Sequence, residues 1–314
     1  MPEPRHLLSI ADLGRDDVER ILETARALDG VDRGELPAKL PTLAGRLVIT
    51  LFYESSTRTS ASFELAAKRL SAETMSIKSA GSSVDKGESL KDTVLTLAAY
   101  EPAAIVVRHP HVGAPWLVAR SSGTAVVNAG DGTHQHPTQA LLDLYTIQRA
   151  FGRFDGLHVA IVGDVLHSRV ARSLIQALGL VGADVTLVGP PTLVPRSLEA
   201  LGCERSSEIS AIESADVVYV LRMQRERILA GANYVPSLRE YTARWGVTPE
   251  RLRPGQKVMH PGPMNRGVEL DSRVADSKDS LVVQQVRSGL VVRMAVLHDL
   301  LAPGVRTGEI AVVA

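Results

Sequence analysis

Four consecutive polar residues, Ser56-Thr57-Arg58-Thr59, follow the apolar run Arg46-Leu47-Val48-Ile49-Thr50-Leu51-Phe52. That run is rich in β-branched and aromatic residues and reads as a buried strand. From Thr59 onward the spacing turns helical, with Phe63, Ala66, Ala67 and Leu70 on one face. Hydroxyls and a guanidinium therefore stand where the free N–H groups and the positive dipole end of a helix point outward. Such a place holds an anion, and phosphate suits it best. A hydroxyl N-cap beside a solvated arginine is the plainer alternative. Four polar residues in a row after a strand that rises from the core favour a ligand.

Other cationic residues close apolar runs in the same way. Arg108 follows Ala104-Ile105-Val106-Val107, and Arg222 follows Val217-Val218-Tyr219-Val220-Leu221. Arg169 comes shortly after Val159-Ala160-Ile161-Val162, and His260 closes Lys257-Val258-Met259. The carboxyl ends of strands in an open parallel sheet form its ligand crevice. One such arginine is an ordinary surface residue finishing a strand. Together they predict a strongly anionic ligand set held between two domains.

A second constellation is Asp131-Gly132-Thr133-His134-Gln135-His136-Pro137-Thr138-Gln139. Pro137 fits the first turn of a helix, which puts His136 and Gln139 at its N-terminus. The dipole there disfavours an imidazolium, so a neutral His136 can donate one N–H to a carbonyl oxygen. The alternatives are a polar loop with a capping histidine and a metal held by His134 and His136. The metal is disfavoured because no carboxylate or cysteine is expected beside the histidines at useful spacing. Gly81-Ser82-Ser83-Val84-Asp85-Lys86-Gly87-Glu88 reads as an exposed, mobile loop before a helix.

Several signals are missing. Val162-Gly163-Asp164-Val165-Leu166-His167 follows a strand without the G-x-G-x-x-G fingerprint, so a dinucleotide cofactor is not expected. There is no Walker-type loop, and no Ser or Cys stands in a nucleophile elbow. No cofactor and no metal are expected.

The elements that must position these residues alternate along the chain. Strands are predicted over 46–52, 74–78, 103–107, 124–128, 157–162, 184–188, 216–221 and 256–260. Helices are predicted over 15–28, 59–70, 88–100, 113–121, 137–150, 168–181, 194–201 and 286–301. This alternation implies an α/β fold of parallel sheets flanked by helices. The length of 314 residues suggests two domains, with the break near Phe151-Gly152-Arg153-Phe154-Asp155-Gly156. The last helix, with Leu290, Met294, Leu297 and Leu301 on one stripe, is expected to return to the first domain. Lys+Arg and Asp+Glu both number 35, which argues against nucleic-acid or membrane-surface binding by bulk charge. A single cysteine, Cys203, excludes an internal disulfide and a cysteine-based metal cluster. Residues 1–30 lack an apolar signal core, and no uncharged apolar run reaches the roughly 18 residues of a membrane span, so the expected location is cytoplasmic.

Ser56-Thr57-Arg58-Thr59, Val107-Arg108-His109-Pro110, His136-Pro137-Thr138-Gln139 and His260-Pro261-Gly262-Pro263 together resemble the aspartate/ornithine transcarbamoylase family, in its order and spacing over nearly the whole chain. Ser83-x-x-Lys86-Gly87-Glu88, Arg169 and Arg222-Met223-Gln224-Arg225-Glu226-Arg227 are similar to features of the aspartate branch's catalytic chain. The His-Cys-Leu-Pro and Ser-Met-Gly elements of the ornithine branch, and its substrate-holding carboxylate, are not found.

The resemblance implies transfer of a carbamoyl group from carbamoyl phosphate to the amino group of L-aspartate, an early step of pyrimidine synthesis. Ser56, Thr57, Arg58 and Thr59 would hold the phosphate. Thr59, Arg108 and His136 would polarise the carbonyl, and Gln139 would bind the carbamoyl amide. Arg169, Arg222 and Gln224 would hold the aspartate carboxylates. Gly262 and Pro263 would offer backbone groups, with the isomer of their peptide bond left open and Gly262 standing where the family usually has Leu. The resemblance also implies a homotrimer in which Ser83 and Lys86 enter a neighbour's site, with Ser82 an equal candidate for the serine. It divides the chain into a carbamoyl phosphate domain, 1–150 plus 287–314, and an aspartate domain, 151–286. A regulatory chain or a dihydroorotase partner stays open. Two rival readings remain: a carbamoyltransferase for ornithine or another amine, and a non-catalytic anion-binding subunit.

Overall fold

The computed structural model describes residues 5–35, 37–78, 87–224, 234–235 and 237–302. They form two compact units, Met1–Tyr145 with Arg287–Ala314, and Thr146–Val286. In chain order the first unit contains α1 (Arg15–Asp32), β1 (Leu47–Phe52), α2 (Thr57–Arg69), β2 (Glu73–Lys78), α3 (Leu90–Ala98), β3 (Ala104–His109), α4 (Ala114–Ser122) and β4 (Ala125–Asp131). Helix α5 (Pro137–Phe151) carries the chain onward. The second unit contains β5 (His158–Val162), α6 (Arg169–Leu180), β6 (Asp184–Val188), β7 (Glu204–Ser206), β8 (Val217–Val220), α7 (Leu238–Trp245), β9 (Lys257–Met259) and α8 (Ser272–Ala275). Helix α9 (Val282–Leu301) then carries the chain back to the first unit.

Both sheets are parallel, as the alternation of strands and helices requires. The first has the order β2-β1-β3-β4. Strand order reverses between β1 and β3, so the chain leaves that pair in opposite directions and opens a crevice at their carboxyl ends. Along β1 the side chains alternate: Ile49 and Leu51 join Ile105, Val107 and Val126 in one core layer, which Val94 and Leu97 of α3 and Val118 of α4 cover. The second sheet has the order β7-β6-β5-β8-β9, with the corresponding reversal between β5 and β8. Ala160, Val162, Val218, Val220 and Val258 line one of its faces.

The expected fold class is borne out, including the return of the last helix. Arg20 of α1 donates from Nε and Nη2 to the two carboxylate oxygens of Asp299 on α9, at 2.7 and 3.3 Å. Helix α9 is buried on more than the expected stripe, since Val291, Val292 and Ala295 are buried along with Met294 and Leu297.

Several local expectations are corrected. The segment expected as a helix over 194–201 is a 3-10 turn, Arg196–Leu201, ended by Gly202 in a left-handed conformation. Helix α2 starts at Thr57 instead of 59, and α9 at Val282 instead of 286. Three short elements, β7, α7 and α8, were not expected, because three to eight residues carry too little periodicity to stand out.

Candidate functional site

In the first unit, the residues singled out gather at the carboxyl edge of the sheet. Phe52 of β1 pairs in register with Arg108 of β3, and His109 with Asp131 of β4. Ser56 is the N-cap of α2, but its side chain makes no cap hydrogen bond; its carbonyl accepts the Ser60 N–H instead. The plain hydroxyl cap is therefore not what this serine provides. Thr57 and Arg58 are exposed in the first turn, and Thr59 is buried there. Hydroxyl, guanidinium and backbone donors thus meet at the positive end of α2.

Arg108, next to the last residue of β3, is almost fully buried. Its Nη2 donates to Glu54 Oε1 at 2.8 Å, and Nη1 reaches the Ala129 carbonyl at 3.5 Å. Glu54 lies in the turn between β1 and α2, so one ion pair joins the two arms of the crevice. Beside it His109 packs on Tyr53 with ring centroids 4.7 Å apart, and burial holds its imidazole pKa below the ordinary value.

The loop that presents His136 is organised by one carboxylate. Asp131, fully buried, accepts Asn128 Nδ2 and the Gln135 N–H on Oδ1, and the Gly113 N–H on Oδ2. His134 Nδ1 lies 3.1 Å from the same Oδ2. A carboxylate therefore does stand beside His134, contrary to expectation. Its lone pairs serve the loop, and among the described residues no group of three or more His, Cys, Asp or Glu can hold a metal ion. Gly132 must be glycine: its φ is 49°, and a Cβ would meet the Pro110 carbonyl at 3.0 Å. His136 is buried immediately before Pro137, and its carbonyl accepts the Gln139 and Ala140 N–H groups that open α5. Gln139 Nε2 donates to Asp143 Oδ1 at 3.1 Å, one turn further along the same face.

The second unit builds its own cluster at the β5/β8 reversal. Asp164, fully buried after β5, accepts the backbone N–H of Gln224 on Oδ2 at 3.1 Å. His167 Nδ1 lies 2.8 Å from Asp164 Oδ1. Gly163 allows the close approach of the two strand ends, since a Cβ there would meet the Leu221 carbonyl and the Tyr241 hydroxyl at 2.9 Å. Arg169 opens α6 and is buried, next to Ser168, whose hydroxyl accepts the Ala171 N–H. Arg222 and Gln224 are half-buried after β8. Among these residues, Asp164 ties the segment that carries Arg169 to the segment that carries Arg222.

His260 differs from the other strand-end cations. It is buried, with Nε2 3.4 Å from Glu269 Oε1, while its Nδ1 accepts the Gly262 N–H at 2.8 Å. It is thus a brace for the following loop and not a group on the crevice wall. That loop holds Gly262 at a φ of 62° and a cis Gly262-Pro263 bond. Ser82, Ser83 and Lys86 lie outside the described residues, as do Arg225, Glu226 and Arg227. Glu54, Asp131, Asp143 and Asp164 escaped the sequence reading as site residues. Their partners come from other elements or carry no motif; Asp131 stood inside the flagged 131–139 segment, and Asp164 inside a segment considered only for a dinucleotide fingerprint.

Two open parallel sheets, each with cationic and amide side chains at its strand-order reversal, define an α/β protein that binds anionic small molecules. The sequence matches the family model "Aspartate/ornithine carbamoyltransferase, carbamoyl-P binding domain" over residues 5–149. It matches the corresponding "Asp/Orn binding domain" over residues 155–300. The chain belongs to the aspartate/ornithine carbamoyltransferase family. It is 55% identical over 304 residues to the aspartate carbamoyltransferase catalytic subunit of Acidothermus cellulolyticus, covering 96% of this chain and 93% of that one. The Sorangium cellulosum subunit of the same name is 53% identical, with 95% and 93% covered. Among solved structures, aspartate transcarbamoylase from Trypanosoma cruzi with N-(phosphonacetyl)-L-aspartic acid superposes with a TM-score of 0.85 at 31% identity, covering 96% and 97% of the two chains. The catalytic subunit of M. jannaschii aspartate transcarbamoylase gives a TM-score of 0.82 at 37% identity, covering 95% and 98% of the two chains.

Proposed function

We propose that this chain catalyses attack by the amino group of L-aspartate on carbamoyl phosphate, giving N-carbamoyl-L-aspartate and phosphate, a step of pyrimidine synthesis. The observation that carries this reading is the pair of donor clusters at the two strand-order reversals. One is suited to a phosphoryl group and a carbonyl, the other to carboxylates. The T. cruzi relative solved with carbamoyl phosphate and aspartate supports the same pair of substrates.

The amine lone pair forms the new C–N bond, and the carbonyl π electrons move onto oxygen. When that carbonyl re-forms, the bond from its carbon to the bridging phosphate oxygen breaks, and the amine proton leaves with the departing phosphate. The acyl donor is already activated, so no enzyme nucleophile is required. Ser56, Thr57, Arg58 and Thr59 bind the phosphate on the α2 N-terminus. Thr59, Arg108 and His136 donate to the carbonyl oxygen as it gains charge, from positions that need no reorganisation. Gln139 takes the carbamoyl amide. Arg169 and Arg222 pair with the aspartate carboxylates, for which guanidinium geometry is well matched, and Gln224 adds an amide. Gly262 and Pro263 contribute backbone groups to the substrates. The proposal includes a cytoplasmic homotrimer in which Ser83 and Lys86 of one chain complete the site of another, and the domain roles 1–150 plus 287–314 for carbamoyl phosphate and 151–286 for aspartate. Among the described residues no helix is long and apolar enough to cross a membrane.

The test is a side-by-side assay of carbamoyl-aspartate and citrulline formation, with aspartate and ornithine offered at equal concentration. Carbamoyl-aspartate alone is the expected product. A phosphonate–aspartate bisubstrate analogue should also raise the melting temperature more than phosphate or succinate does, because it binds only the native state. Citrulline as the main product, or stronger protection by the ornithine analogue, would replace aspartate with ornithine.

A further inference from the structure

The edge of the first sheet beside β4 is covered by the start of the chain. Residues 7–10 are buried, and Leu7 bridges Val127 of β4 in the parallel sense. The Leu7 N–H donates to the Val126 carbonyl and the Asn128 N–H to the Leu7 carbonyl, both at 2.9 Å. Here β4 carries a fully buried amide side chain, Asn128. A buried amide is tolerated only where its donors and its acceptor find partners. Asn128 Nδ2 donates to the Leu8 carbonyl and to Asp131 Oδ1, each at 2.9 Å, and Oδ1 accepts the Gly130 N–H at 2.8 Å.

These partners admit one orientation of the amide. Flipped, it would set its oxygen against two acceptors and its NH2 against the Gly130 N–H. An aspartate of the same shape would lack both donors, and it would bring a second negative charge against Asp131. The residue type at 128 is thus fixed by a polar task and not by packing.

That task continues beyond the sheet. The Asp131 oxygen that takes Asn128 Nδ2 also accepts the Gln135 N–H at 3.0 Å, and the Asp131 N–H donates back to the Gln135 carbonyl at 3.2 Å. Gln135 immediately precedes His136. A line of hydrogen bonds therefore runs from the Leu8 carbonyl through Asn128 and Asp131 to the residue that holds His136 at the start of α5. Leu8, Asn128, Asp131, Gln135 and His136 are all buried, so water does not compete for these bonds.

We propose that Asn128 is a positioning residue: it uses the docked N-terminal segment as a fixed support for Asp131, and so sets the place of His136 against the carbonyl of carbamoyl phosphate. This deepens the carbamoyl-transfer reading and rests on it. The Ser56–Thr59 segment is carried by α2, so phosphate binding should be largely spared when the line is cut.

The experiment compares wild type with Asn128→Leu and with a chain shortened to begin at Ser9. It reads kcat, the inhibition constant of inorganic phosphate, and hydrogen exchange at the Gln135 amide. Each change should lower kcat about tenfold, the worth of one hydrogen bond, and leave phosphate inhibition within about threefold. The Gln135 amide should exchange at least about tenfold faster. Combining the two changes should cost little more than either alone, since both cut one line. Unchanged kcat in a folded variant, parallel weakening of turnover and phosphate binding, or fully additive losses would overturn the proposal and leave Asn128 a structural tie. If neither variant folds, exchange in the wild type decides: the Leu7, Asn128 and Gln135 amides should open together, and a Gln135 amide that opens independently of Leu7 would overturn it. A wild type that makes no carbamoyl-aspartate would instead overturn the function, while the amide exchange, which needs no substrate, still reads the line from Leu8 to Gln135.

Discussion

Arg108 Nη2 and Glu54 Oε1 lie 2.8 Å apart, joining the end of β3 to the turn that leads into α2. The arginine side chain is 10% exposed and the glutamate 30%, so the pair is partly shielded from water and screening. Glu54 has two opposed effects on the proposed reaction. It aims the guanidinium, and it also places a negative charge near a phosphate site. Aiming should dominate kcat, because a donor acts on the developing oxyanion only from a fixed position. Charge should dominate ground-state binding. Glu54→Gln is therefore expected to lower kcat about tenfold while leaving the carbamoyl phosphate KM unchanged or lower. Steady-state kinetics in both substrates check this, and a raised KM with normal kcat would contradict it.

Asp131 shows how much of the His136 loop depends on one fully buried side chain. Its two oxygens hold Asn128, Gln135 and Gly113, with His134 at 3.1 Å. Asp131→Ala would leave several buried donors without acceptors, at a cost of about 3 kcal/mol or more. Asp131→Asn keeps one acceptor oxygen and should cost less. Urea unfolding of both variants checks the order, and kcat should fall with the same ranking as the His136 loop loosens. Equal stabilities for the two variants would mean the loop holds its shape without this carboxylate.

The Ser56–Thr59 and His136–Gln139 segments announce themselves because their signal is local. A strand, a polar turn and a helix start occupy adjacent positions, and the periodicities of 2 and 3.6 identify the frame. Arg169 and Arg222 follow from the same rule about strand ends. His260 obeys the rule and yet departs from its implication, since Glu269, nine residues later, faces it in the interior. No spacing argument anticipates that contact. Asp164 and Gln224 are 60 residues apart, and Gln139 and Asp143 read as an ordinary helix pair until burial is known. Arg293 lies within the helix expected over 286–301, and nothing in its spacing singled it out. Only its burial against Phe63 of α2 shows that it is enclosed.

Buried histidines are expected to shape the acid side of the stability profile. His298 of α9 is 4% exposed, and burial lowers its pKa from the ordinary 6.5, against a smaller opposing effect of Asp299. The unfolded chain therefore binds this proton more readily than the folded one. The sign follows directly: the neutral-histidine contribution is complete above pH 6.5 and is lost as pH falls through the folded pKa. His109 is shifted the same way by burial. The wild-type melting temperature should thus decline as pH drops from 7 toward 5, a window set by an ordinary histidine pKa of about 6.5. His298→Phe should flatten that decline while leaving activity at pH 8 near normal. A decline of unchanged steepness would show that carboxylates, and not His298, govern acid stability.

The shared site can be tested without observing an interface. Lys86 lies outside the described residues, and its role is proposed from the motif Ser83-x-x-Lys86-Gly87-Glu88. Arg58, in the first turn of α2, is proposed to serve the pocket of its own chain. Arg58→Ala should remove a charge-assisted phosphate contact worth about 1.5–3 kcal/mol in binding, and more in the transition state. Turnover should fall at least about a hundredfold while the fold survives. Lys86→Ala should be similarly inactive as a pure protein. If a ring of identical chains lends each Lys86 to the next pocket, mixed trimers contain some sites that combine the intact pocket of one variant with the intact lysine of the other. Random assortment in a closed cyclic oligomer gives such sites a frequency of about one quarter. Denaturing the two variants together and refolding the mixture should restore activity toward that fraction of wild type, while each variant refolded alone stays inactive. If Lys86 served its own pocket, every chain in the mixture would keep one defect in its own site and nothing would be restored. A refolded mixture no more active than its parents, with trimers confirmed by light scattering, therefore excludes sharing, and monomers alone would exclude the trimer itself.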